Sequence, residues 1–419
     1  MDVPDAILLM GDKQWQEIKS KLTGKFNKMM KGLFRQKGAQ LDINILASDE
    51  AQEFITTHAG ILDAGFQKVE MSDKMRERLT RSNYIFSGIK TFHELNEAFP
   101  SMLDENGNKK TFERFLNDVQ KINDTYNANY LHAEYNFVQA SATMAAKWEQ
   151  FREDGDQYYL QYRTAKDGKV RPEHAALDGV PLPPSDSFWD TYYPPNGWNC
   201  RCNVVQVRKQ KYPITEHSEA MNRGEEAMNG QKYNIFRFNS GKQGKTMPDY
   251  NPYTIRRCND CDVAKGKMKL GSVPDYQLCQ GCIMIRKCSE DRNRDNSAKA
   301  TKKSPEVKKL QGTTISNPDF NHEVLVTGGS IREWTNQPHK DYAAKNSILK
   351  HIAKVFREAK YIGFIDNFKM KPGIKQSHLF ETNVLGELSW IIVREYEIGE
   401  FVLHSISDSD KIKTGIRKE

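Results

Sequence analysis

The chain has 419 residues, a net charge of +7 and 28% charged residues, with a mean hydropathy of −0.74. That length predicts roughly two to four domains, each able to bury a core. A spanning helix needs about 20 consecutive apolar residues, which the sequence nowhere offers, so no membrane partner is expected. The start, MDVPDAILLMGDKQW, is acidic with a short apolar patch, unlike a secretory signal, and points to the cytoplasm of the producing cell. The modest positive charge permits contact with nucleic acid without demanding it. Seven cysteines, an odd count, read as metal ligands plus reduced thiols rather than a disulfide framework.

The first 148 residues read as a helical assembly domain. From Asp12 to Gly38 apolar residues recur at helical spacing (Trp15, Ile18, Leu22, Phe26, Met29, Met30, Leu33, Phe34), with lysines between them. Such a basic face can lie on a membrane or DNA, or be a solvated face packed on neighbouring helices; the second is the expectation. Two shorter helical patterns follow, Asp42 to Phe66 and Glu70 to Glu97, broken at Gly60 and Gly65. After the turn signal Asp104-Glu105-Asn106-Gly107-Asn108, residues Thr111 to Trp148 keep helical register long enough for two helices or one bent one. Nothing in this third looks catalytic.

Residues 149–252 form a different kind of segment. Tyr158 to Arg163 alternates like a strand. Tyr162 to Cys202 is dense in Pro, Gly and Asp yet carries Phe188, Trp189, Tyr192, Tyr193 and Trp198, which predicts a compact, turn-rich unit that buries its aromatics. It closes with Cys200-Arg201-Cys202 and a strand-like run, Asn203 to Val207. His174, Cys200 and Cys202 suggest a zinc site, but C-x-C is not the usual knuckle and no fourth ligand is evident. A buried, hydrogen-bonded histidine with small apolar cysteines is therefore the expectation and metal binding the alternative, and the stretch Arg208 to Pro252 is expected to wrap the module. The ordered blocks Arg-Pro-x-His-Ala-x-Leu-Asp-Gly, Phe-Trp and Pro-Pro-Asn-Gly-Trp-x-Cys-Arg-Cys resemble the phage Mu protein F-like family of minor head proteins. The resemblance implies a head morphogenesis protein in the virion, inside the capsid near the portal, with portal and capsid proteins as partners and DNA within reach. It also marks His174, Asp178, Trp189, Cys200 and Cys202 as signature residues with a mainly structural role.

In residues 253–288, Cys258-Asn259-Asp260-Cys261 and Cys279-Gln280-Gly281-Cys282 give C-x2-C-x17-C-x2-C. Two such knuckles offer four thiolates to a tetrahedral, structural Zn(II) at Cys258, Cys261, Cys279 and Cys282, with Gly281 suiting the tight turn. Cys288 is the odd one out. Nearby basic residues (Arg256, Arg257, Lys265, Lys267, Lys269, Arg286, Lys287) suit either nucleic acid or a solvated surface.

Residues 289–310, SEDRNRDNSAKATKKSPEVKKL, carry too little apolar surface to fold alone and read as a flexible linker. Residues 311–419 read as a small α+β domain, one helix across an antiparallel sheet. Its expected elements are strands at Glu323–Thr327, Tyr361–Ile365, Ser377–Asn383, Leu388–Tyr396 and Glu400–Ile406, and a helix from His339 to Ala359. The segments Trp334 to His339, Ser377 to Glu381, Ser389 to Glu395 and His404 to Asp408 resemble a phage-borne member of the barnase–EndoU–colicin–RelE-like nuclease superfamily.

Metal-independent RNA cleavage needs a base, an acid and a cation facing the phosphate. His339, His378 and His404 have the right chemistry near neutral pH. Arg394, with Lys345 or Lys375, would face the phosphate, and Ser405 or Ser407 would hold an oxygen. Alternation in the strand-like run Trp390 to Glu395 separates Trp390, Ile392 and Arg394 from Ile391, Val393 and Glu395 without saying which set is outermost. The expectation is thus a multidomain α+β protein: helical arm, Mu F-like module, zinc-knuckle segment and α+β tail. Its function would be that of a phage or prophage minor head protein in morphogenesis and DNA packaging. The tail would be a ribonuclease toxin with an immunity protein and RNA as further partners. The alternative is a purely structural head protein whose zinc segment and tail mediate assembly or DNA contact without catalysis.

Overall fold

The computed structural model describes residues 12–38, 40–248, 251–253, 280–366, 372–384 and 387–417. The chain divides into two compact units, Met1–Ser289 and Glu290–Glu419.

The first unit starts with α1 (Asp12–Phe34), α2 (Asp49–Ala64) and α3 (Asp73–Ala98). Ser48 and Ser72 cap α2 and α3 by accepting from the amides of Ala51 and Met75, which satisfies donors that a helix start leaves open. Gly65 ends α2 as expected, but Gly60 lies inside it. A mid-helix glycine costs about 1 kcal/mol relative to alanine, less than the packing of Phe54, Ile55, Ala59 and Leu62 returns. The long stretch from Thr111 is two helices, α4 (Phe112–Asn123) and α5 (Leu131–Asp154), joined by a π-helical turn at Asp124–Asn129.

A buried polar network joins α2, α3 and α5. The Lys90 ammonium donates to Glu134 Oε2 (2.7 Å) and to the Tyr126 carbonyl (2.7 Å), and stands 3.1 Å from His58 Nε2. Tyr253 donates its hydroxyl to the other Glu134 oxygen. Lys90, Glu94, Glu134 and His58 are all at most 2% exposed. Charge pattern alone places such residues on a solvated face.

Downstream, β1 (Tyr159–Arg163) is flanked by β2 (Pro181–Leu182) and β3 (Asn203–Val207), both antiparallel to it, with α6 (Pro172–Ala175) and α7 (Phe188–Thr191) in the connection. Phe188, Trp189, Tyr192 and Tyr193 are fully buried, and Trp198 packs partly exposed against the same core. The following stretch supplies α8 (His217–Ala227) and α9 (Ser240–Gln243). At Gly224 an added Cβ would lie 2.4 Å from the Tyr192 ring, and at Gly241 one would lie 2.2 Å from Trp148 Cβ. These two glycines let the backbone close over the aromatics. One continuous core runs from Leu22 to Tyr253 and Ile285, so the helical arm and the module share their interior, with no break at residue 148.

Three of the four expected knuckle cysteines, Cys258, Cys261 and Cys279, lie outside the described residues. Cys282 is buried on α10 (Gln280–Lys303). Gly281 is therefore in a helix rather than a knuckle turn, and an added Cβ there would sit 2.6 Å from the Phe92 ring. Residues 289–310 also depart from the flexible linker expected of them, since α10 runs to Lys303 and α11 (Pro305–Lys309) follows. Alanines and long charged side chains favour the helix. The small residues Ala298 and Thr301 are buried, Ser297 accepts from the Asn346 amide (2.9 Å), and Val307 enters the second core.

The second unit is a six-stranded sheet. Its strands are β4 (Thr313–Asn317), β5 (Phe320–Val326), β6 (Lys360–Asp366), β7 (Ile374–Val384), β8 (Glu387–Tyr396) and β9 (Phe401–Ser407), in the order β4-β5-β9-β8-β7-β6. All pairings are antiparallel except β5 with β9. An unexpected helix, α12 (Gly328–Asn336), follows β5, and the single helix expected from His339 to Ala359 is two pieces, α13 (Tyr342–Ile348) and α14 (Ile352–Glu358). Strand β4 shows a mostly exposed, polar face, and α12 opens on two glycines, so neither carried a clear periodic signal. A reciprocal capping box between Thr327 and Ser330 starts α12. Its last turn is closed by Lys345, whose buried ammonium donates to the carbonyls of Trp334 (2.5 Å) and Gln337 (2.8 Å), a favourable place for a cation.

Candidate functional site

The polar residues of the central module converge on one end of β1. Asp178, after α6, accepts from the Thr164 amide (2.8 Å) and hydroxyl (3.1 Å), tying the Leu-Asp-Gly turn to the strand end. The Gln161 amide donates to the Gly179 carbonyl (2.8 Å). Trp189 donates from its indole nitrogen to the Pro183 carbonyl (3.1 Å), and Tyr193 donates its hydroxyl to the Met144 carbonyl (2.9 Å). Signature residues Asp178 and Trp189 thus hold backbone.

The arginine at 171 starts α6, where Pro172 takes the first position, a place that needs no amide proton. This turn delivers His174, buried at 2% exposure. Asn199 has a left-handed backbone (φ 56°) and sends the chain into Cys200-Arg201-Cys202. Cysteines two apart in an extended segment project to the same side, and both sulfurs reach one atom. His174 Nδ1 lies 3.7 Å from Cys200 Sγ and 3.5 Å from Cys202 Sγ. Arg201 turns away and pairs with Asp167 (2.8 Å from Nη2), while Arg171 donates to the Trp198 carbonyl (2.6 Å). The three donor atoms lie within 4.8 Å of one another. They border a shallow cleft lined also by Lys169, Val170, Arg171, Asn199 and Arg201.

Electrostatics single out Cys200 as the thiol that ionises first. A hydrogen bond from Cys202 lowers it, and the His174 contact and charge help, against the cost of burial. The same interaction, with burial, raises Cys202. Tyr162, whose hydroxyl donates to Asn196 (2.9 Å), is pushed well up by burial and by the nearby thiols. Chemically this is one imidazole and two sulfurs in a half-open nook, a donor set of the kind that holds a metal.

The residues expected to cut RNA are distributed otherwise. His378 is buried on β7; its Nδ1 lies 2.9 Å from the Tyr361 hydroxyl and its Nε2 3.1 Å from Glu395 Oε2. Burial raises the Glu395 carboxyl, but hydrogen bonds from Lys375, His378 and Gln376 outweigh it and hold the group below its usual value. The register pairs His378 with Val393 and Ser377 with Arg394. Arg394 therefore lies on the sheet face opposite His378 and Glu395. Ser405, paired with Ile392, shares the Arg394 face. His404 sits at the bulge where the β8–β9 register shifts. His339 stands apart from both, with Nε2 3.1 Å from Ser389 Oγ and Nδ1 accepting from the Asp341 amide (3.0 Å); burial lowers its pKa. Lys345, lowered to about 7 by burial, is committed to two carbonyls rather than a phosphate. Of the expected set, His378 gains partners that sequence reasoning missed, Tyr361 and Glu395; His339, Arg394, His404 and Ser405 do not join it.

Comparison with known proteins agrees with the central resemblance. Residues 105–205 match the family described as Phage Mu protein F like protein. Residues 293–403 match the Large polyvalent protein-associated domain 3, which replaces the nuclease superfamily as the likeness of the C-terminal region. The chain is 28% identical over 284 residues to "Putative capsid assembly protein F" of Escherichia phage Mu, covering 62% of this chain and 61% of that protein. It is 26% identical over 198 residues to the Mu-like prophage FluMu F protein of Haemophilus influenzae, covering 46% of this chain and 42% of that protein. The chain thus spans about three-fifths and two-fifths of the length of these relatives. No solved structure matches.

Proposed function

We propose that this chain is a head morphogenesis protein of a Mu-like phage or prophage, carried in the particle near the portal and acting with portal and capsid proteins while DNA is packaged. The observation that carries this reading is the family match at residues 105–205, which falls on the turn-rich module and its supporting helices α4 and α5. The capsid assembly role in the printed name of the phage Mu relative supports it. So does the physical character of the module. Its polar groups are spent on backbone carbonyls and turns, and its aromatics are locked in one core with the helical arm. Such a unit presents a rigid surface for assembly.

The test is made in the genetic element that encodes the chain. Particles induced from the intact element are expected to contain the protein by mass spectrometry. Deleting its gene is expected to cut the yield of DNA-filled heads at least tenfold, counted by electron microscopy. Filled, infectious particles at normal yield without the protein would overturn the proposal.

For the C-terminal unit we propose an associated, non-catalytic role in the same particle, because Arg394 and Ser405 lie on the sheet face opposite His378, and the Lys375 ammonium beside His378 is engaged by the Glu395 carboxylate. Purified full-length protein mixed with total RNA is expected to leave it intact over hours. Cleavage that disappears in His378→Ala or His404→Ala protein would restore the toxin reading, and with it the need for an immunity partner.

A further inference from the structure

We infer that His174, Cys200 and Cys202 form a binding site for a borderline-soft divalent cation, Zn(II) foremost, with the fourth coordination position left to a ligand from the adjoining cleft. Three observations carry this. The first is distance. Zinc bonds of ~2.3 Å to sulfur and ~2.0–2.1 Å to nitrogen, set at tetrahedral angles, put nitrogen and sulfur about 3.5 Å apart. His174 Nδ1 lies 3.5 and 3.7 Å from the two sulfurs. The second is convergence. Both sulfurs address the same ring nitrogen, and a single nitrogen can donate to or accept from one thiol well, whereas a cation set among the three atoms serves all of them.

The third observation is how the rest of the nook is committed. Arg201 is paired with Asp167 and Arg171 with the Trp198 carbonyl, so both guanidiniums border the cleft without competing as donors to the imidazole. Their charge offsets that of two thiolates. His174 comes from α6 and the cysteines from the approach to β3, some 26 and 28 residues away. A metal there would staple the turn-rich connection to the sheet at both ends. Nitrogen with two sulfurs suits zinc over hard cations such as magnesium. Cys282, the one described member of the tetracysteine pattern, is buried on α10 and is not among these three ligands.

Cobalt(II) reports the ligands directly, and the full-length chain is used throughout. To silence the tetracysteine pattern, the test starts from Cys258→Ser/Cys261→Ser/Cys279→Ser protein. This variant is expected to take up about one Co(II) or Zn(II) per chain. Cobalt should give thiolate charge-transfer absorption and tetrahedral ligand-field bands. Both should vanish when Cys200→Ser/Cys202→Ser is added, and His174→Gln should weaken binding at least tenfold. Folded triple variant, judged by circular dichroism, that takes up neither metal would overturn the inference; so would cobalt bands that survive loss of both cysteines. If the double cysteine change prevents folding, the single Cys202→Ala change at the less buried of the two positions decides. It should halve the charge-transfer intensity, and unchanged intensity refutes the site.

Discussion

Glu134→Ala is expected to lower the stability of the first unit by about 3–5 kcal/mol, because it strands a charged Lys90 in a dry interior. The Lys90 ammonium has no route to water: it is fully buried and its partners are Glu134, the Tyr126 carbonyl and His58. Glu134 is itself held down to about 2. Burial works against the charged carboxylate, but Lys90 and His58 together more than offset it. Removing Lys90 instead, as Lys90→Met, should cost a similar amount by leaving the carboxylate alone. The Lys90→Met/Glu134→Leu double variant should lose much less than the sum of the two, since an apolar pair of similar volume avoids the desolvation of both charges. Urea unfolding of the four proteins measures the coupling. Additive losses would mean that the ion pair is energetically independent, contrary to its geometry.

Glu94→Gln is expected to stabilise the same unit at about pH 8 while changing little at about pH 5. Burial raises the Glu94 carboxyl to about 8, against the pull of Lys90 and the Asn127 amide. The folded pKa exceeds the unfolded value of 4.5. The fold therefore binds this proton more tightly, and the associated stability is complete below pH 4.5 and lost as pH climbs through about 8. Over that range the loss is on the order of a few kcal/mol. His58, lowered to about 4 by burial and by Lys90, and Glu134 act in the opposite sense, losing stability only as pH falls below their unfolded values. The difference between wild type and Glu94→Gln therefore isolates one carboxyl. Thermal midpoints across this range should diverge steadily with rising pH, and a constant gap would rule out a protonated Glu94.

Much of this protein was legible in one dimension. Apolar periodicity found the helices that Ser48, Ser72 and Thr111 cap, although it began the first two at Asp42 and Glu70. Of the five aromatics in a Pro- and Gly-rich run that had to be buried somewhere, four are, and Trp198 is partly exposed. Alternation placed the strands around Tyr361, Ser377, Trp390 and Phe401, because a two-residue period is a local property of the backbone. Function was least legible where it was read from residue types. Three histidines and an arginine within one hundred residues suggested a catalytic set; register puts Arg394 on the face opposite His378 and His404 at a bulge.

What sequence alone determined is therefore the strongly periodic elements and the apolar faces they must hide, since local spacing decides both; β4, α12 and α10 lacked that signal. Only tertiary packing decided which polar residues meet. Lys90 and Glu134 stand 44 positions apart and read as surface charges until α3 and α5 are brought together. His174 joins Cys200 and Cys202 only when the turns between α6 and β3 close. Even α10 needed neighbours, because its polar composition gains helical order from a few small residues that find a surface to cover. Contacts between distant residues depend on which chain segments share a core, and no local period encodes that.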